Sequence, residues 1–298
     1  MADLITEINR KFKEGSILTK YIFINIGVFI SLILVINIFK LFNITEPSIL
    51  EHVGVPSSPE TLLYRPWTII TYMFVHLEFF HIFINMLWLY WFGKIFLTFF
   101  TGRQLGGLYI IGGIAGALLF LLSYNTFPYF RESSAESSLI GASASVMAIV
   151  FAISFYQKEY SINLLLIGRI KLIYLAIGVL LLDIMAITST NAGGHIAHIG
   201  GALLGILYAS LYNKGKDITG FINKAIDRVV NMTKRKPVFK VYSQDTSKSH
   251  KVETDDEYLQ RKKKENAAID EILDKLKRSG YESLSAADKK KLFDASRK

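Results

Sequence analysis

YIFINIGVFISLILVINIF, residues Tyr21–Phe39, runs for 19 residues without a charged side chain. As an α-helix it rises about 28 Å, close to the roughly 30 Å hydrocarbon thickness of a bilayer. Apolar and polar residues do not alternate along it, so a helix fits and a barrel strand does not. Five runs of the same kind follow: Tyr72–Phe92, Leu105–Tyr124, Leu139–Tyr156, Ile170–Thr188 and His195–Tyr212. The chain has 298 residues, 51% of them hydrophobic, with a mean hydropathy of +0.33. The apolar residues are gathered in these blocks, and the sequence after Tyr212 is strongly polar. The expected fold is an all-α polytopic membrane protein, a bundle of six transmembrane helices followed by a small C-terminal helical hairpin. Residues before Tyr21 lack the pattern of a cleaved signal peptide, so the first run reads as a retained anchor. There is no cysteine, which excludes disulfides, zinc thiolate sites and a cysteine nucleophile.

Lysine and arginine near the span ends set the orientation. Arg10, Lys11, Lys13 and Lys20 precede the first span. Lys94 and Arg103 join the second to the third, Lys158, Arg169 and Lys171 join the fourth to the fifth, and Lys214 and Lys216 follow the sixth. Of the alternate connections, Asn43–Thr71 holds only Arg65, Asn125–Ser138 only Arg131, and Ser189–Gly194 none. Both termini are therefore expected in the cytoplasm. The long first outer connection carries Leu62, Leu63, Tyr64 and Trp67, and is expected to lie partly in the membrane interface.

The chain divides into a cytoplasmic segment 1–20, a membrane domain 21–212, a basic juxtamembrane segment and linker 213–254, and a hairpin tail 255–298. In the tail, Ile269, Ile272, Leu273 and Leu276 share a helical face, Ser279-Gly280 breaks the helix, and Ser285 with Asp288 caps a last one. The net charge of +9 comes almost wholly from the residues after Tyr212. It points to anionic lipid headgroups before nucleic acid, because the tail is tethered to a membrane.

Polar groups inside spans are costly and ask for a reason. The second span carries His76, His81 and Asn85. The fourth begins Gly141-Ala142-Ser143-Ala144-Ser145, the sixth begins His195-Ile196-Ala197-His198, and the fifth holds Asp183. The second, fourth and sixth spans run in the same direction. Ser143 and His198 are each expected about one turn into their helices, and His81 about two turns beyond Tyr72. All three then lie roughly 5–15 Å below the outer boundary. Serine acylation fits this set, because a hydroxyl needs a base to take its proton and an oxyanion needs donors. Ser143 and His198 supply the first pair. The helix start at Ser143 offers free N–H groups, and His81 and Asn85 share a face that adds side-chain donors. Ser145 is a rival nucleophile, about 200° away around the helix. Asp183 is expected too near the inner end of its span to orient the histidine, and no role is assigned to it.

Blander readings stand beside these. A serine at a small-residue helix start often packs or caps. His76, His81 and His195 can each serve a backbone carbonyl, Asn85 can bind a neighbouring helix, and Gly201 and Gly205 read as packing.

Three motifs resemble those of one family. His81-Ile-Phe-Ile-Asn85 resembles the rhomboid H-x-x-x-N motif, Gly141-Ala142-Ser143-Ala144 its G-x-S-G, and Ala197-His198-Ile-Gly-Gly201-Ala-Leu-Leu-Gly205 its A-H-x-x-G-x-x-x-G. The resemblance covers about Tyr21–Tyr212. It implies a rhomboid intramembrane serine protease of bacterial type, in an inner (plasma) membrane, with a water-filled cavity open to the outside. It implies Ser143 as nucleophile and His198 as base, a dyad without an acid. His81, Asn85 and the Ser143 backbone N–H become the oxyanion site, with no cofactor and no metal. The substrate it implies is a membrane-spanning protein. Ala144 departs from the last glycine of the motif, Trp67-Thr68 replaces a Trp-Arg pair, and Met147 stands where some relatives have an aromatic ring. An inactive rhomboid-like protein that binds transmembrane helices is the alternative. Inactive relatives generally lack the serine or the histidine. A histidine-based transporter fits less well, because no inverted repeat is visible.

Overall fold

The structure, a computed structural model, describes residues 2–44, 49–131, 137–164, 168–233 and 255–296. Met1–Arg235 form one compact unit and Lys236–Lys298 a second.

In the first unit, α1 (Ala2–Glu14) leads into α2 (Ile17–Leu41). Then come α3 (Ile49–Val53), β1 (Val55–Pro56), α4 (Pro59–Tyr64), α5 (Thr68–Thr71) and a 3₁₀ turn at Tyr72–Phe74. The long helices α6 (Phe79–Leu97) and α7 (Gly102–Thr126) follow, then α8 (Pro128–Arg131) and β2 (Ser138–Leu139). Next are α9 (Ser143–Tyr156), the hairpin β3 (Ser161–Leu164) and β4 (Gly168–Lys171), α10 (Leu172–Met185), α11 (Ala192–Tyr212) and α12 (Gly220–Thr233). Among the described residues, α2, α6, α7 and α11 are long and apolar enough to cross a membrane. The apolar helices α9 and α10 have 14 residues each, about 21 Å. The chain is an integral membrane protein.

Local chemistry sets the helix starts. The Ser16 hydroxyl accepts the Thr19 N–H at the head of α2. At α7, Thr101 and Gln104 form a reciprocal capping box. The second run does not form one helix from Tyr72, as the sequence suggests. It is broken by the 3₁₀ turn and an extended Val75, and α6 starts at Phe79. The reason lies in His76, which is fully buried and accepts the Ala142 backbone N–H on Nε2 (3.3 Å). That contact holds the chain out of the helical path.

Helix α9 is the centre of the unit. Every residue from Ala144 to Ser154 is buried, enclosed by α11, α7, α6 and α10. Small residues permit this. A Cβ on Gly201 would lie 2.0 Å from the Ala144 carbonyl oxygen, and one on Gly205 would lie 2.4 Å from that of Ala148. On the α7 side, a Cβ on Gly116 would lie 2.5 Å from Ala144 Cβ. The packing reading of Gly201 and Gly205 agrees with this geometry.

Some buried polar groups in the spans bind one another. Asn25 donates to the Tyr109 hydroxyl (3.2 Å), Tyr109 to the Met73 carbonyl (2.9 Å), and Tyr72 to the Gly113 carbonyl (2.6 Å). These bonds tie α2, α7 and the 3₁₀ turn together where water is scarce. At the N-terminal end of α7, Arg103 pairs with Asp227 of α12, and Gln104 donates to Asp217. Burial works against the Asp217 charge, but the hydroxyl and N–H of Thr219 and the Gln104 amide hold its carboxyl below the usual range.

In the second unit, α13 (Asp255–Ser279) ends at Gly280, whose φ is +76°. Helix α14 (Ala286–Ser296) begins where the Ser285 hydroxyl accepts the Asp288 N–H (3.2 Å). Ile272 and Leu284 are buried there. The rest of the expected linker, 234–254, lies outside the described residues.

Candidate active site

Two short contacts aim the segment that delivers Ser143. Strands β1 and β2 pair antiparallel, Val55 with Leu139 and Pro56 with Ser138, which joins the connection between α2 and α6 to the serine loop. The Gly141 N–H then donates to the Tyr72 carbonyl (2.9 Å) and the Ala142 N–H to His76. Gly141 has φ +115°, open to glycine and strained for other residues. A Cβ there would lie 3.1 Å from His81 Nε2 and 3.8 Å from Ser143 Oγ. The same position therefore brings the imidazole of His81 and the serine hydroxyl close together. Ser143 is the first residue of α9, not one turn inside it, because Gly141 and Ala142 are committed to the loop. The first N–H groups of α9 consequently have no partner within the helix.

Ser143, His81, Asn85 and His198 all line one cavity of about 1050 Å³. His81 is the third residue of α6, and His198 lies nearly two turns into α11 rather than one. The Asn85 amide donates one hydrogen to the His81 carbonyl (2.9 Å), and its second remains for another acceptor. Met147 also lines the cavity. Ser145 is fully buried and does not line it. A Cβ on Gly113 would lie 2.7 Å from Ser145 Oγ, so this hydroxyl faces α7.

Asp183 stands elsewhere than expected. The fifth and sixth helices are antiparallel neighbours, so a residue late in α10 lies level with one early in α11. Asp183 Oδ1 accepts from Nδ1–H of both His198 (2.9 Å) and His195 (2.7 Å). His195 thus meets a carboxylate, and His76 accepts a backbone N–H. The sequence held a signal for this: a lone acid late in one span, with two histidines three residues apart early in the next. The three residues offer donor atoms within 4.8 Å of one another, a set able to hold a divalent cation. The two N···O separations are shorter than the roughly 3.3 Å that a tetrahedral zinc ion with ~2.0–2.1 Å bonds imposes on its ligands.

Residues 64–214 match the family profile described as the rhomboid domain, about half of the chain. The chain belongs to the rhomboid family. It is similar to the RHOMBOID-like protein 12, mitochondrial, of Arabidopsis thaliana, at 30% identity over 162 residues. That match covers 51% of this chain and 48% of the relative, so the chain spans about half of that protein's length. Residues 253–298 match a family of unknown function, DUF6576.

The departures of this rhomboid from its family motifs now have surroundings. Ala144 packs its Cβ toward Gly116, where the space is closed on both sides by α7 and α11. In the connection between α2 and α6, Arg65 donates to the Glu51 carbonyl (2.6 Å) and Trp67 Nε1–H to that of His52 (2.8 Å). Arg65 thus ties α4 to α3 without the arginine that usually follows the tryptophan. Leu63 and Tyr64 of this connection are exposed.

Proposed function

We propose that this rhomboid is an intramembrane serine endopeptidase that hydrolyses peptide bonds of transmembrane protein substrates. One observation carries the reading: Ser143, at the start of α9, and His198, on α11, border the same cavity as His81 and Asn85. His198 Nε2 takes the proton of Ser143 Oγ as that oxygen attacks the scissile carbonyl carbon. The negative charge that develops on the carbonyl oxygen meets the Ser143 N–H, the His81 ring N–H and the free hydrogen of the Asn85 amide. Nε2 then gives its proton to the leaving nitrogen, the C–N bond breaks, and an acyl-serine ester is left. A water molecule, deprotonated by Nε2, attacks the ester. The acid product leaves and Ser143 regains its hydrogen.

In this reading α9 and α10 complete their crossings with the non-helical residues at their ends, giving six spans. Both termini are cytoplasmic and the cavity faces outward. The charge pattern supports that orientation in a bacterial plasma membrane, with the basic tail on anionic lipid headgroups. The test is labelling by a fluorophosphonate probe in membranes. Wild type is expected to label, Ser143→Ala to lose the label and Ser145→Ala to keep it. Absence of wild-type labelling, with tight binding of a transmembrane helix, would instead identify an inactive rhomboid-like binder.

A further inference from the structure

We propose that Asp183 completes a Ser143–His198–Asp183 triad and acts as the positioning residue for the base, with His195 as a second anchor on the same carboxylate. The inference rests on the protease reading and departs from the acid-free dyad that the motifs imply.

Three observations carry it. The Asp183 side chain is 7% exposed, and its Oδ1 is the acceptor for both imidazoles. Among the described residues, Oδ2 has no hydrogen-bond partner. A buried carboxylate is expensive unless its charge is compensated, and a purely structural one is expected beside lysine, arginine or several amide donors. This one faces two imidazoles, and one of them belongs to the general base.

The chemistry follows from which nitrogen holds the hydrogen. A carboxylate only accepts, so His198 carries its hydrogen on Nδ1 and presents the Nε2 lone pair to Ser143. When Nε2 takes the serine proton, an imidazolium forms 2.9 Å from Asp183 Oδ1. The carboxylate gains a compensating charge at that moment and not before, so the stabilisation belongs to the transition state more than to the resting enzyme. The proton stays on the imidazole and later goes to the leaving nitrogen; Asp183 is never protonated. His195 donates to the same oxygen at 2.7 Å, which fixes the carboxylate rotamer and keeps Oδ1 turned toward α11.

The test uses the full chain in proteoliposomes with a transmembrane reporter substrate. Asp183→Asn keeps the shape and removes the charge. Its kcat is expected to fall by about 10²–10⁴-fold, with KM and thermal midpoint near wild type, and Asp183→Glu is expected to recover part of the loss. A second readout does not need activity. In ¹⁵N-histidine spectra of the Ser143→Ala protein, the His198 hydrogen is expected on Nδ1, and Asp183→Ala is expected to release that preference. If wild type neither labels nor cleaves, the protease reading fails while these spectra still decide the Asp183–His198 link. The proposal is overturned if Asp183→Asn keeps wild-type kcat, if its whole defect lies in KM or folding, or if the Nδ1 preference survives Asp183→Ala. Loss of cleavage on dialysis against a chelator, restored by zinc, would also overturn it by making the cluster a cation site.

Discussion

Helices α2 and α9 are both strongly apolar, yet they occupy opposite situations. Only 6% of the most apolar stretch of α2 is buried within the protein, whereas α9 is enclosed from Ala144 to Ser154. Hydrophobicity does not separate them, because lipid tails are as apolar as a protein core. Small residues on the neighbouring helices do. Gly112, Gly116, Gly201 and Gly205 each face α9 at a separation that no Cβ tolerates. A Cβ on Gly27 of α2 would meet nothing within 4 Å. Composition therefore decides that a segment enters the membrane, and the pattern of glycine and alanine decides which segment the others surround. The enclosed helix is also the one that begins with Ser143, so the proposed nucleophile starts the most enclosed of the apolar helices.

Glycine substitutions break this comparison most sharply. Gly201→Val forces carbons into the Ala144 carbonyl and must part α9 from α11. Overpacking costs about 1–3 kcal/mol or more, and the joint loss of thermal stability and cleavage is the expected outcome. Gly27→Val, in a helix facing lipid, is expected to leave both unchanged. Equal thermal midpoints for the two variants would show that close approach at Gly201 does not hold the site.

Asn85→Ala probes the cavity wall rather than the packing. One oxyanion donor is worth about 3 kcal/mol, so kcat is expected to fall about 10²-fold while labelling of Ser143 persists. A folded Asn85→Ala protein as inert as Ser143→Ala would contradict the sharing of that role among three donors.

The smallest effect belongs to the end of α7. Arg103 and Asp227 are 65% and 50% exposed, and an exposed pair contributes about 0–1 kcal/mol. Arg103→Ala is expected to shift the thermal midpoint only slightly, with cleavage intact. A large drop would mean that α12 is held to α7 chiefly through this pair.

The membrane class is legible in the sequence, because several apolar stretches of that length, nearly free of charge, have few other uses. The three motifs single out Ser143, His198, His81 and Asn85 on three helices, and the fold brings all four to one cavity. Three features are not legible there. The break before Phe79 depends on His76 reaching Ala142, 66 positions away in sequence, and no local propensity reports such a contact. The β1–β2 pair is two residues long on each side, too short for any alternation. The level of Asp183 is misjudged from its own span alone, because that span runs opposite to the sixth. Its partners become visible only when the two helices are laid side by side with their directions reversed.

The central claim is that His198 supplies the base for Ser143. The most direct measurement is the turnover of a transmembrane reporter in proteoliposomes by His198→Ala, with its thermal unfolding matched to wild type. The account predicts a folded protein that no longer cleaves. Cleavage by that variant at a rate close to wild type would contradict it.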